Sequence, residues 1–570
     1  MRGWGLIAWA ESLSILCFTP ECTVFSGVVA SPRHTDSYGE SSDETDDEDE
    51  SDESSDTDWE SEGVAPTPKR CKYAKETALR ASLNSGLYPT FEGIEGPSRD
   101  IPPNENNPFE YLSLLWPASL CELIALETDR YALQNGARNW QSVSVAELWT
   151  FLGIILLMGI HRLPRIRNYW SNDRLLGIAA LQQYMSLNRF WALWSNLHVV
   201  DNELTLPGEG VSRKIKPVLD TLSRTFLEHY SPGQELSVDE GMVKYKGRAG
   251  GKVVMPNKPI KKGFKIWCCS CSCCAYLCTF QVYQGRPVDP STGKRTSEKG
   301  LAKRVVSDLV APFVGLNHVV YCDNFYSSGP LVDMLAKDKI FVAGTIKKCA
   351  KGFPDSLKRV KPLPGTYVSE RVDEKCYFVF QDRREVCFVT NVFPEHMDTR
   401  VARMQSGGLL QRQSVPPLLP AYNKYMGGVD RTDQIRKSYG FDRKSKRSWL
   451  RLFFQFFDYA VNNAHILYKH SCSRHGISPN DLLEFRMELI HLLLVQSRQK
   501  AFRIKKNDRA QDVSVCYLVS LSEIGLKRGR CHQCQLNKRK PSRYTSFGCG
   551  VCGVRLCKTT CFAEFHQSFS

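Results

Sequence analysis

The run LSVDEGMVKYKGRAGGKVVMPNKPIKKGFK, residues 236–265, constrains this chain more than any other stretch. Leu236–Val238 opens as a strand, and the strand period makes Asp239 an inward-pointing carboxylate in a region that otherwise attracts phosphate. Two later aspartates stand in comparable settings. Asp323 closes the apolar run HVVYC ahead of NFYSS, and Asp430 follows MGGV and opens RTDQIRK, a helix start, with Asp433 three residues on and on the same helical face. One aspartate in a turn is usually a cap or turn former. Three carboxylates, each at the end of a regular element and surrounded by Lys and Arg, are instead what a two-metal, Mg2+-dependent phosphoryl-transfer site requires. Asp239, Asp323 and Asp430 are therefore the candidate catalytic metal ligands, with Asp433 beside them.

The cations have positions that matter. Lys244, Lys246, Arg248, Lys252, Lys258, Lys261, Lys262 and Lys265 follow the first aspartate. Arg436, Lys437, Arg443, Lys444, Lys446, Arg447 and Arg451 follow the third. Charge runs are usually solvated faces, but beside acidic metal ligands they suit phosphate contact, foremost at Lys258, Lys261, Lys262, Lys265, Arg443, Lys444, Lys446 and Arg447. The net charge of +14 understates this, because residues 36–63 hold fifteen Asp and Glu and no Lys or Arg. Such an excess on the remainder points to a polyanion partner, most often nucleic acid.

At 570 residues the chain can bury a large core and several domains. Met1–Ala30 is apolar with Arg2 ahead of GLIAWAESLSILCF, but Glu11 interrupts it and no small-residue cleavage site follows, so an unstructured leader is expected rather than a secretory signal. Residues 1–100, acidic and Ser-rich in the middle, cannot bury enough apolar surface to order themselves. Pro68-Lys69-Arg70 with Lys72 and Lys75 is a nuclear-import candidate, which makes the nucleus the expected location.

Residues 101–233 read as helical: FEYLSLLW, LCELIALETDRYALQNG, VAELWTFLGIILLMGIHRL and MSLNRFWALWSNLHVVDN. Phe151–Ile160 falls well short of a membrane span and sits behind a helix start at Ser144, so it is a buried helix and no membrane partner is expected. Residues 234–352 turn strand-rich, with a helix at LAKRVVSDLVAPF, and predict a mixed α/β domain on one sheet. Cys268, Cys269, Cys271, Cys273, Cys274 and Cys278 lie on its second or third strand. They do not form two CxxC pairs on loops, so buried thiols are favoured there over a metal site. Residues 353–417, rich in Pro, Arg and Gln, read as an insertion, and 418–440 return to the α/β domain. In residues 441–505 the helix KRSWLRLFFQFFDYAVNNAHILYKH is apolar nearly all round, and Ser478-Pro479 opens a second helix. A linker, 506–528, leads to the tail.

That tail, 529–570, carries Cys531, Cys534, Cys549, Cys552, Cys557, Cys561 and His566. Paired CxxC spacings in a large basic chain are a zinc signal rather than a disulfide framework. Seven ligands are one short of two closed tetrahedral sites, and His532 ranks ahead of Cys516 as the eighth, giving about two Zn2+.

RNYWSND, MSLNRFWALWSNLHVVDN, LSVDEGMVKYKGR, MPNKPIKKGFKIW, VVYCDNFYSS, YNKYMGGVDRTDQ and the Cys-rich tail together resemble the piggyBac transposases and the transposable element-derived proteins descended from them, from about Asn107 to the end. The tail is most similar to that of the vertebrate protein 4 group of these derived proteins. The resemblance implies an RNase H-like catalytic domain in which SVDE, YCDNFY and GGVD supply the metal-binding aspartates Asp239, Asp323 and Asp430, with Asp433 associated. It also implies cut-and-paste DNA transposition at TTAA targets with hairpin ends, a homodimer, and a zinc tail that reads terminal-repeat DNA. The flanking helical segments would form one dimerisation and DNA-binding unit, with Trp449 at the family's tryptophan. Two departures stand out: the six-cysteine strand, and DVSVCYLVSLSEIGLKRGR in place of the family's RH-x-P stretch. The altered approach to the tail, together with the unusual leader and the long acidic segment, leaves open a second function, a DNA- or chromatin-binding protein that keeps the scaffold without transposition.

Overall fold

The computed structural model describes Leu83, residues 87–99 and residues 108–567, apart from short stretches at 174, 179, 204–209, 257, 287–290, 295, 405–409, 505–517, 523–525, 538–543, 550–553 and 559. The chain divides into two units, Met1–Arg498 and Gln499–Ser570.

In the first unit the strongest apolar signal becomes the most buried helix. The helices α1 (Pro108–Leu115), α2 (Ala118–Gln134) and α3 (Val145–Ile160) follow one another. Ser144 caps α3 by accepting from the Glu147 amide at 3.1 Å, and nearly every later side chain of α3 is buried. Helices α4 (Leu187–Asn196) and α5 (Lys216–His229) complete the N-terminal layer. Among the described residues no single helix is long and apolar enough to cross a membrane.

A nine-stranded sheet follows. Its first strands are β1 (Glu235–Lys244), β2 (Lys252–Val254), β3 (Lys262–Cys271) and β4 (Leu277–Val282), with β3 pairing antiparallel to the other three. Helix α6 (Leu301–Val310) crosses to β5 (His318–Cys322), and α7 (Gly329–Lys337) to β6 (Ile340–Thr345). Both of these strands run parallel to β1. The fully buried run HVVYC of β5 is what a central parallel strand covered on both faces requires.

The segment 353–417, marked by composition as an insertion, is built onto the same sheet rather than set apart from it. Its strands β7 (Tyr367–Val372), β8 (Lys375–Gln381) and β9 (Glu385–Thr390) add antiparallel beyond β6, through the pairs Phe388–Thr345 and Thr390–Ala343. The reason lies in β8: Tyr377 and Val379 join the main core, while Cys376, Phe378 and Phe380 join a second core on the other face. A strand apolar on both faces cannot stay solvated on either. A separate hairpin, β10 (Arg400–Met404) and β11 (Leu410–Ser414), returns the chain to α8 (Leu419–Tyr425) and α9 (Gly428–Tyr439).

Helix α10 (Ser448–Arg474) ties sheet and helices together. Toward the N-terminal helices, Trp116 meets Phe453 and Phe457 edge-on at 5.7 and 5.0 Å, and Trp194 stacks on Phe454 at 5.5 Å. Toward the sheet, Phe456 packs on Phe280 at 4.6 Å, and Asn463 both accepts from and donates to the Leu277 backbone. Helix α11 (Leu482–Ile504) follows.

Two expectations need correction. Residues 1–100 are not uniformly without structure, because 87–99 lie along the sheet: Tyr88 shares a 3.0 Å hydrogen bond with Tyr321, Phe91 meets His318 edge-on, and Gly96–Pro97 pair with Tyr230–Ser231. Three apolar or aromatic anchors suffice to hold a segment whose acidic neighbour masks it in any composition window. The start of α11 is also shifted. Asp481 and Glu484 exchange backbone hydrogen bonds, 2.9 and 3.1 Å, as a capping box, so Ser478-Pro479 belongs to the approach. The apolar leader, the acidic segment and the basic 68–75 cluster lie outside the described residues.

Candidate functional site

Strand β1 aims Ser237, Asp239 and Gly241 to one face, and α9 lies across that face. Val429 donates to the Ser237 hydroxyl at 3.0 Å, and a Cβ on Gly428 would sit 2.5 Å from the same oxygen. Farther along, a Cβ on Gly241 would lie 3.6 Å from the Asp433 carboxylate, so two glycines let helix and strand approach. Asp430 therefore lies over the middle of the strand, beside Asp239. Asp323 comes from the neighbouring parallel strand, one step past the Val238–Cys322 pair, which sets it next to Asp239 at a strand spacing of about 4.8 Å. The Phe325 amide donates to one Asp323 oxygen at 2.8 Å. Tyr459 of α10 donates to Asp433 at 2.9 Å.

These carboxylates influence one another electrostatically. Burial, then the Glu240 charge, holds Asp239 well above the ordinary aspartate range, with Asp323 and Asp430 adding to the rise. Burial and Glu240 push Asp323 up to about 6, against the Phe325 amide, Lys258 and Lys265. Asp430 is raised by burial first, and Lys258 opposes the shift. Burial would lower the Lys258 ammonium, but the fields of Asp239, Glu240, Asp430 and Asp323 outweigh it and raise it. Among the described residues, every set of three or more ligand atoms mutually within 4.8 Å contains cysteine. The aspartates thus converge on one acidic neighbourhood without forming a closed ligand shell.

Glu240 is the residue that motif reading misses. Its carboxylate accepts from Tyr326 at 2.9 Å and faces Lys258 at 3.5 Å and Lys265 at 3.6 Å. The only sequence signal for it is a second acid directly after Asp239, which an outward-facing strand residue would give equally well.

The proposed phosphate contacts divide into three groups. Lys258 and Lys265 stand at the aspartates, with Lys265 also 4.7 Å from the Phe325 ring. Lys261, Lys262, Lys444 and Lys446 are exposed. Arg443 and Arg447 face inward: Arg443 donates to the carbonyls of Pro164 and Leu163, and Arg447 to those of Trp194, Ser195 and Leu197 at the end of α4. With their donors held by carbonyls, these two act as braces of the helical layer rather than as phosphate contacts.

In the tail, Cys531, Cys534, Cys557 and Cys561 bring their sulfurs within 4.8 Å of one another. The first CxxC pair thus meets the last cysteine pair, a four-thiol set that could hold a metal ion such as Zn2+. Cys549 is buried nearby, whereas Cys552 and the His566 side chain lie outside the described residues. His532 does not belong to the four-thiol set; its ring meets Phe565 edge-on at 5.7 Å.

A family model described as "Transposase IS4" matches residues 107–465. The human PiggyBac transposable element-derived protein 3 is 28% identical over 523 residues, covering 88% of this chain and 83% of that protein. Human derived protein 2 is 25% identical over 450 residues, 76% of this chain and 73% of its own length. Among solved structures, the piggyBac transposase synaptic complex with hairpin DNA superposes with a TM-score of 0.62 at 22% identity, covering 82% of this chain and 98% of that one. A match over more than half its length, on a mixed α/β fold shared with that structure, makes this chain a member of the piggyBac-type transposase family.

Proposed function

We propose that the chain is a metal-dependent DNA transposase that cuts and joins phosphodiesters through an RNase H-like domain. The observation that carries this reading is the convergence of Asp239, Asp323 and Asp430 from two adjacent parallel strands and the helix laid over them. The strand order β4-β3-β1-β5-β6, antiparallel then parallel, supports the RNase H-like assignment.

The donor set suits hard divalent ions: oxygen ligands only, with Asp239 buried and Asp323 and Asp430 half-buried, and more carboxylates than the lysines beside them. Asp239, Asp323 and Asp430 would hold two Mg2+, with Asp433 fixed behind them by Tyr459. When bound, such a pair supplies positive charge to the attacking and leaving oxygens of an in-line displacement. Lys258 and Lys265 orient the phosphate, and exposed Lys261, Lys262, Lys444 and Lys446 hold the flanking backbone of double-stranded DNA. The same reading extends to terminal inverted repeats as the bound ends, TTAA as the target, a homodimer, about two Zn2+ in the tail, and action in the nucleus.

A second reading, a transposase-derived DNA- or chromatin-binding protein without transposition, is favoured by the aspartate oxygens standing more than 4.8 Å apart as a set. One experiment separates the two: Mg2+-dependent nicking of a terminal-repeat duplex by the wild type and by Asp323→Ala. The enzyme reading expects cleavage by the wild type and at least a ~100-fold loss in the variant, the size expected when a transition-state charge contact is removed. Equal cleavage by both, or binding without cleavage by the wild type, would reject it.

A further inference from the structure

Cys271 ends β3, and the turn that joins it to β4 carries Cys273 and Cys274. It lies beside the beginning of β1, where Leu236 pairs with Cys271, whereas the aspartates gather toward the far end of the β1–β5 ladder. Its thiols are not all core residues. Cys271 is fully buried, Cys274 is half-buried and Cys273 is exposed. The sulfurs of Cys271 and Cys273 and a carboxylate oxygen of Glu95 lie within 4.8 Å of one another.

This grouping is held from several sides. Ala275, at a left-handed φ of 66°, closes the turn, with its amide donating to the Cys271 carbonyl at 2.9 Å. Ser272 donates from its amide to the Glu235 carbonyl and from its hydroxyl to the Tyr425 carbonyl, at 2.8 and 2.7 Å. Arg431 donates to the carbonyls of Ser272 and Cys273. Glu95 is brought in from the other direction, because Gly96–Pro97 pair with Tyr230–Ser231, and Arg474 donates to the Pro97 carbonyl at 3.1 Å. On the far side of Cys271, the Tyr230 hydroxyl lies 3.0 Å from the Cys274 sulfur and 3.3 Å from His470 Nε2.

We propose that Cys271, Cys273, Cys274 and Glu95 hold a structural Zn2+ ion that staples residues 87–99 to the sheet. Soft thiolates with one carboxylate suit a tetrahedral site: the ligand atoms of Cys271, Cys273 and Glu95 already lie within 4.8 Å of one another and need only a small contraction toward Zn–S distances of about 2.3 Å, and Cys274, which lies outside that group against Tyr230, would turn in as the fourth ligand. The ion also explains an arrangement that burial alone does not, an exposed thiol and an exposed carboxylate held against a buried thiol. It joins segments far apart in sequence, so its binding energy adds directly to the folding of the strap.

The test uses the full chain with Cys531→Ser and Cys534→Ser, which removes the four-thiol set of the tail. Zinc is measured by mass spectrometry after dialysis against a weak chelator, before and after adding Cys273→Ser. Exposed Cys273 can be changed without opening the core; Glu95→Gln is a second variant that touches no thiol. The expected result is about one equivalent of zinc lost with Cys273→Ser. Glu95→Gln should release zinc at about tenfold lower chelator concentration. Cobalt reconstitution should give thiolate-to-cobalt charge-transfer bands that weaken in Cys273→Ser. Unchanged zinc content in both variants would overturn the proposal. So would a chain without zinc at this site whose intact mass and peptide map place a disulfide among Cys271, Cys273 and Cys274.

Discussion

Lys258 stands among four carboxylates, and the balance between burial and charge there decides what the site can hold. Removing one partner of a buried ionic cluster typically costs about 3–5 kcal/mol, because the remaining charges lose their compensation. Lys258→Gln should therefore lower the melting temperature in chelator, and millimolar MgCl2 should restore more of it in the variant than it adds to the wild type. Calorimetry with and without Mg2+ checks this; no Mg2+-dependent shift in either protein would mean that Asp239, Asp323 and Asp430 do not take up the ion. At this scale the positions of Asp323 and Asp430 follow the sequence pattern, one just past a strand and the other at a helix start, whereas Asp239, expected near a strand's beginning, lies in the middle of β1. Glu240 was not legible, since one acid after another says nothing about which faces a lysine. Arg443 and Arg447 were misplaced for a related reason: a run of cations gives the number of donors, and only the fold reveals that these two satisfy the open carbonyls around α3 and α4.

Among elements, the packing of α9, α10 and α11 depends on a buried Arg486. It is fully buried and donates to the Tyr439 carbonyl at 3.0 Å, Asp458 at 3.2 Å and Asn462 at 3.0 Å, while Asp458 also accepts from the Phe441 amide. This network fixes the end of the helix that carries Asp430 and Asp433. Arg486→Ala would strand the Asp458 charge and should cost about 3–5 kcal/mol in urea unfolding, whereas the double change Arg486→Met with Asp458→Asn should recover much of that loss. A double variant as unstable as the single one would rule out a charge-compensation role. The apolar pattern of α10 announced burial on several sides, and it is buried along nearly its whole length. The pattern could not identify the partners, since Phe456 facing a strand and Phe454 facing a tryptophan look alike in sequence. The same limit hid the attachment of β7–β9 to the sheet, which depends on β6 lacking another neighbour.

For the whole molecule, two consequences follow from where charge and clustered thiols sit. The tail gathers its thiols within a unit of its own, so chelation should abolish hydrogen-exchange protection in residues 529–567 while the amides of β1 and β5 stay protected. Equal loss in both regions of a chain that also carries Cys273→Ser would show that metal held by the tail supports the entire fold. Acid has the opposite reach. Burial holds His198 and His465 at a pKa of about 4, below the ordinary 6.5, so the folded chain keeps both neutral while the unfolded chain protonates them. Each depressed base therefore contributes stability that is complete above about pH 6.5 and is lost as pH falls toward 4, with a slope near 1.4 kcal/mol per pH unit. Asp323, raised to about 6, works the other way, because its folded form takes up a proton more readily than its unfolded form. A bare pH profile mixes these signs, but a variant isolates one of them. His465 lies 3.1 Å from the Asn480 carbonyl through Nε2, a contact that a glutamine amide can replace. His465→Gln should leave stability near pH 7 within about 1 kcal/mol of wild type and flatten the acid limb by about 1.4 kcal/mol per unit between pH 6 and 5. Parallel profiles for the two proteins would mean that His465 already carries its proton in the folded state.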